Sequence, residues 1–123
     1  MVLCVVRKLS MFELKNKIAL VTGGRRGMGR AHALALARQG AKVVVTDIDL
    51  NECALVVEEI KSQGGEALCF NMDVSQKGQV HQVFEEVVKH FDRLDILVNN
   101  AGIYLSKPAL ELAEEDWDKV LDV

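Results

Sequence analysis

Proline occurs once in the 123 residues, at Pro108, so no proline-rich segment interrupts the chain and a disordered composition is excluded. Cysteine is sparse as well: Cys4, Cys53 and Cys69 are odd in number, far apart and never spaced C-x-x-C. Such a set gives neither a disulfide framework nor a zinc site, and reads as small apolar residues in a reducing cytosol. His32, His81 and His90 also lack metal-ligand spacing. They read as surface side chains, with His90 near a helix C-terminus, where positive charge suits the dipole.

No sign of charge dominates. A net charge of −3 offers no footprint for nucleic acid or an anionic membrane, and Arg25, Arg26 and Arg30 form the only local basic cluster. The acidic runs Glu58-Glu59, Glu85-Glu86 and Glu114-Glu115-Asp116 fit solvated helix faces and a first helical turn, not a hydrolytic pair. The N-terminal apolar stretch, residues 2–6, is too short to span a bilayer, and its basic pair Arg7-Lys8 follows it. That order is wrong for an export signal. Residues 1–10 therefore read as a lead, either disordered or the product of an upstream start, and residues 11–123 as one partial domain. A cytoplasmic protein without nucleic-acid or membrane partners is expected.

Strand patterns alternate with helix patterns over short connections, the signature of a parallel sheet with crossover helices. Strands are expected at 17–22, 41–47, 66–72 and 94–99; the second carries Val43-Val44-Val45, a β-branched run suited to burial on both faces. The first helix is expected from about Met28 to Gln39, closed by Gly40. The second starts behind Asp49, with Glu52 as capping-box partner, and ends at Gly64-Gly65. A third follows Ser75 as N-cap and presents Val80, Val83, Phe84, Val87, Val88 and Phe91 as one unbroken face. A last helix begins near Glu114. Right-handed crossovers give the strand order 3-2-1-4, with the ends of strands one and four on the crevice where ligands bind.

That crevice receives the glycine-rich run Thr22-Gly23-Gly24-Arg25-Arg26-Gly27-Met28-Gly29. Glycines let the backbone turn tightly and approach phosphates, and the free N–H groups of the following helix point at negative charge. A dinucleotide pyrophosphate fits this pattern. Asp47 ends strand two, 18 residues beyond Gly29, where a carboxylate accepts both ribose hydroxyls of NAD and repels the 2′-phosphate of NADP.

The spacing T-G-x-x-x-G-x-G, followed by Asp73-Val74, by Asn99-Asn100-Ala101-Gly102 and by the run Trp117–Val123, resembles the short-chain dehydrogenase/reductase family. The resemblance implies an α/β fold, a Rossmann-like doubly wound parallel sheet present in part. It implies a cofactor site of Thr22, Gly23, Arg25, Arg26, Gly27, Met28, Gly29, Asp47, Ile48, Asp73, Val74, Asn99, Ala101 and Gly102. Arg25 and Arg26 could pair with a phosphate, but Asp47 weighs more, so NAD is expected ahead of NADP. The implied reaction is hydride transfer between the nicotinamide dinucleotide and a small alcohol or carbonyl substrate, in a homo-oligomer at full length.

The family works through an Asn, a Ser and a Tyr-x-x-x-Lys pair. Tyr104 is the only tyrosine, the lysine after it is Lys107 at i+3, and Ser106 is no better placed, so no catalytic residue is assigned. The family's Asn would fall just after Val123. The expectation is therefore a cofactor-binding half that is inactive alone. The alternative is a non-catalytic NAD-binding or interaction module, a short isoform or a decayed gene product.

Overall fold

The computed structural model describes residues 13–123; the expected lead at residues 1–10, including Cys4, lies outside the described residues. In chain order the elements are β1 (Ile18–Thr22), α1 (Gly27–Arg38), β2 (Lys42–Asp47), α2 (Leu50–Ser62), β3 (Ala67–Asn71), α3 (Lys77–Phe91), β4 (Ile96–Val98) and α4 (Glu114–Leu121). A single 3-10 turn, Ala109–Glu111, precedes α4. The sheet is parallel and ordered β3-β2-β1-β4, as the crossover rule predicts.

Register follows from the alternation of side chains across the pleat. Leu20 lies between Val44 and Leu97, and Val21 between Val45 and Val98. On one face Ala19, Val21, Val43, Val45 and Ala67 pack with Ala33 and Leu34 of α1 and with Cys53, Val56, Val57 and Ile60 of α2. On the other, Ile18, Leu20, Val44 and Met72 pack with Val83 and Val87 of α3. Each fully buried Val or Leu in these layers contributes about 1.5–3 kcal/mol through removal from water. Helices α1 and α2 run out into Gly40 and Gly64, at φ +93° and +83°, as the sequence led us to expect.

Four local expectations need correction. Ser75 is not the N-cap of α3: its hydroxyl and N–H are both spent on Asp73 Oδ1, at 2.7 and 3.0 Å, and the helix begins behind Gln76. The apolar face of α3 is interrupted, because Val88 is 48% exposed. Strand β4 is three residues long, not six, since only Ile96–Val98 find partners on β1. Asp49 does cap α2 by accepting from the Glu52 N–H at 3.1 Å, but the Glu52 carboxylate turns to Arg25 instead of completing a capping box. Among the described residues, no helix is long and apolar enough to cross a membrane, and no cluster of His, Cys, Asp and Glu could hold a metal ion.

Candidate functional site

The C-terminal ends of β1, β2 and β4 open onto a crevice of about 840 Å³. Its floor is the turn between β1 and α1, tied to its neighbours by a short series of hydrogen bonds. Thr22 Oγ1 accepts from the N–H groups of Asn100 and Ala101, both at 3.0 Å. Asn100 Nδ2 returns the favour by donating to the carbonyls of Thr22 and Gly23, each at 3.0 Å. The Gly24 N–H donates to Thr46 O at 3.0 Å. The loop after β1 and the turn after β4 are therefore joined by four hydrogen bonds.

Two glycines are required by shape. Gly23 has φ +62°, and a Cβ there would sit 2.8 Å from Ala101 Cα. A Cβ on Gly29 would stand 2.2 Å from Gly23 O, so the first turn of α1 lies directly against the loop only because that side chain is missing. Helix α1 also starts uncapped. Arg26 offers its N-cap no side-chain bond, and the first turn carries no acidic residue. The first intrahelical bond is Arg30 N–H to Arg26 O at 3.2 Å, leaving the N–H groups of Gly27, Met28 and Gly29 on the crevice wall. A helix end of this kind carries partial positive charge and suits an anion.

Asp47 closes the far side. Its carboxylate is buried and accepts from the Ile48 N–H at 2.8 Å and, at 3.2 Å, from Arg25 Nε. Arg25 extends past it, with Nη1 2.9 Å from Glu52 Oε2. Behind this pair, burial pushes the Cys53 thiol up to about 12, and the Asp47 charge acts in the same direction. Cys53 is thus a neutral core residue. At the end of β3, the Ser75 hydroxyl and N–H hold the Asp73 carboxyl below the usual carboxylate range.

Of the expected site residues, Gly23, Arg25, Arg26, Gly27, Met28, Gly29, Asp47, Ile48, Asp73, Val74, Ala101 and Gly102 line the crevice together. Thr22 stands behind it as an acceptor for the turn after β4, and Asn99 is exposed and not on the lining. The member of the Asn pair that turns inward is Asn100, which the sequence reading left out. Alternation continued from β4 would have found it: Ile96, Val98 and Asn100 are partly buried, while Leu97 and Asn99 are exposed. Glu115, Asp118 and Lys119 of α4, with its C-cap Asp122, also reach the crevice, an i, i+3, i+4, i+7 face. Tyr104 is 84% exposed, and Lys107 is engaged by Asp116, so no acid–base pair forms there.

A family model described as short chain dehydrogenase matches residues 17–123. The chain is 38% identical over 113 residues to a cyclopentanol dehydrogenase from Comamonas sp., covering 92% of this chain and 45% of the relative. It is 41% identical over 112 residues to a hydroxynaphthalene reductase-like protein from Metarhizium robertsii, covering 90% and 42%. The chain thus spans less than half the length of these relatives. Among solved structures, a short-chain type dehydrogenase/reductase from Mycobacterium marinum superposes with a TM-score of 0.89 at 35% identity, over 93% of this chain and 45% of that one. A metagenomic short-chain oxidoreductase in complex with NADP gives 0.84 at 34% identity, over 89% and 50%.

Proposed function

The chain belongs to the short-chain dehydrogenase family, and on that premise we propose that its crevice is the cofactor site of an oxidoreductase that moves hydride between a nicotinamide dinucleotide and an alcohol or carbonyl substrate. The observation that carries this reading is the uncapped N-terminus of α1, brought against the β1 turn by Gly29 and facing Asp47 across the same crevice. The cradle fits the group. The Gly27, Met28 and Gly29 N–H groups would receive the pyrophosphate, with Arg26 beside them. The Asp47 carboxylate would accept the hydroxyls of the adenosine ribose, which makes NAD the preferred cofactor over NADP. Ile48, Asp73 and Val74 would border the adenine, while Ala101 and Gly102 line the opposite wall. Thr22 and Asn100 hold the two loops in place.

The bound nicotinamide supplies or takes up the hydride. The residues of this chain bind and orient it; Tyr104 faces solvent and Lys107 is paired with Asp116, so these two do not form a positioned proton donor. A cytoplasmic setting and assembly into a homo-oligomer belong to the same proposal, the former in keeping with the free thiols Cys53 and Cys69.

Titration calorimetry with NAD and NADP tests the reading. NAD is expected to bind the more tightly. Asp47→Ala is expected to move the ratio of the two affinities toward NADP by about 1–3 kcal/mol, the scale of hydrogen bonds to a charged group. An unmoved ratio places the choice elsewhere on the loop. The 123-residue polypeptide is expected to bind without turning over alcohols or ketones. Turnover abolished by Tyr104→Phe would contradict that assignment.

A further inference from the structure

Arg25 is the one cation of the glycine loop that lies beside Asp47, and its charge is already claimed. Its Nε is 3.2 Å from Asp47 Oδ1, and its Nη1 is 2.9 Å from Glu52 Oε2 and 3.9 Å from Asp49 Oδ2. Its backbone N–H lies 3.4 Å from Asp47 Oδ2. The Arg25 side chain is largely covered, at 21% exposure, while those of Asp49 and Glu52 are 41% and 48% exposed. One cation therefore faces three carboxylates, and the cluster as a whole is negative.

Both acids come from the N-terminal end of α2, Asp49 as its N-cap and Glu52 in its first turn, outside the crevice lining. Asp49 has a separate structural duty as N-cap, but among the described residues the Glu52 side chain has no hydrogen-bonding partner other than Arg25. A phosphate on the 2′-oxygen of a ribose held at Asp47 would meet Arg25 as the cation beside that carboxylate. To pair with the phosphate, the guanidinium would have to leave Glu52 and Asp49, and the phosphate would then sit near two uncompensated carboxylates.

We propose that Glu52 and Asp49 are positioning residues for cofactor choice: acting through Arg25, they withhold its charge from a 2′-phosphate and leave the outer face of Asp47 for ribose hydroxyls. This inference rests on the dinucleotide reading of the crevice and adds to it two residues outside the phosphate loop.

The test uses the full chain and two probes that differ only in the group at issue, adenosine 5′-monophosphate and adenosine 2′,5′-bisphosphate. Asp49→Asn preserves the helix cap, because asparagine caps as well as aspartate, and Glu52→Gln preserves length. In the double variant the dissociation constant of the bisphosphate is expected to fall about fivefold, the upper scale for partly exposed charge pairs, while that of the monophosphate stays within about twofold. Adding Arg25→Met is expected to erase the gain. An unchanged ratio of the two constants overturns the proposal, as does equal tightening of both probes, which would mark a merely structural effect. A gain that survives Arg25→Met overturns the route through Arg25. Should the unaltered chain bind neither probe, the dinucleotide reading falls and this inference with it; binding with an unmoved ratio sinks the inference alone.

Discussion

β1 and β4 lie side by side in one sheet and are built from nearly the same side chains, Ile-Ala-Leu-Val against Ile-Leu-Val, yet they meet opposite surroundings. Residues Ile18 to Val21 are between 0 and 4% exposed, with a strand on each side and helices on both faces. Leu97 sits in register with Leu20 but is 45% exposed, because β4 is the sheet's edge and α3 reaches Leu20 without covering its neighbour. The same contrast separates the helices. The inner face of α2 is buried, whereas Trp117 and Leu121 of α4 are 61% and 67% exposed. An apolar run states a demand for burial; position in the topology decides whether the demand is met.

The sharpest way to break this comparison is to truncate the two leucines that face each other across the register. Leu20→Ala is expected to cost about 2–5 kcal/mol, the range for an unrelaxed core cavity. Leu97→Ala, half in water already, is expected to cost under about 1 kcal/mol. Urea unfolding of the two variants at equal concentration measures both. Equal losses would mean that β4 is as well covered as β1.

Glycines sharpen the same point at smaller scale. Gly29→Ala forces a Cβ to within 2.2 Å of the Gly23 carbonyl and 2.5 Å of Asn100 Nδ2, so the contact must open. A cost of about 1–3 kcal/mol is expected, with loss of dinucleotide binding because the phosphate cradle is what shifts. Gly78→Ala, in the first turn of α3 with open space around it, is expected to gain up to about 1 kcal/mol from helix propensity. Thermal melts and NAD titration separate the two. Retained binding in Gly29→Ala would remove that glycine from the site.

How far the sequence announced all this follows the same division. Where elements are covered on both sides, local pattern and final structure coincide: Val43-Val44-Val45 is fully buried, Asp49 caps α2, and the strand order obeys the handedness of the crossovers. Towards the edge, competing local partners decide the outcome. Ser75 is drawn to Asp73 two residues back before it can cap α3, and which residue of an Asn-Asn pair turns inward depends on the pleat of β4. The reach of Glu52 to Arg25 spans 27 residues of sequence and was invisible without the packing of α1 beside α2. The family resemblance picked out the glycine loop because its spacing is a local property. It could not supply Glu52, whose role depends on a tertiary contact.

The smallest effect concerns how an edge strand lacking cover is held at all. Asp95, just before β4, forms a polar clamp on β1: its N–H donates to Ile18 O at 2.9 Å, and its Oδ2 accepts from the Ile18 N–H at 2.9 Å. The Arg93 guanidinium also binds it, and that bond, with the Ile18 N–H, holds the Asp95 carboxyl below the usual carboxylate range. A native value lower than the unfolded one, about 3.9, means that the unfolded chain takes up the proton first. The clamp's contribution is therefore complete above about pH 4 and is lost as the pH falls through the lower native value. Asp95→Asn is expected to lower the urea midpoint modestly near neutrality, as exposed charge pairs do, and the gap from the unaltered chain is expected to close in acid. Other acid-sensitive groups, Asp73 and Asp116 among them, remain in both proteins and cancel in the difference. Midpoints that stay equally far apart down to about pH 2 would show that the carboxylate's charge contributes nothing and that β4 is held by its backbone ladder alone.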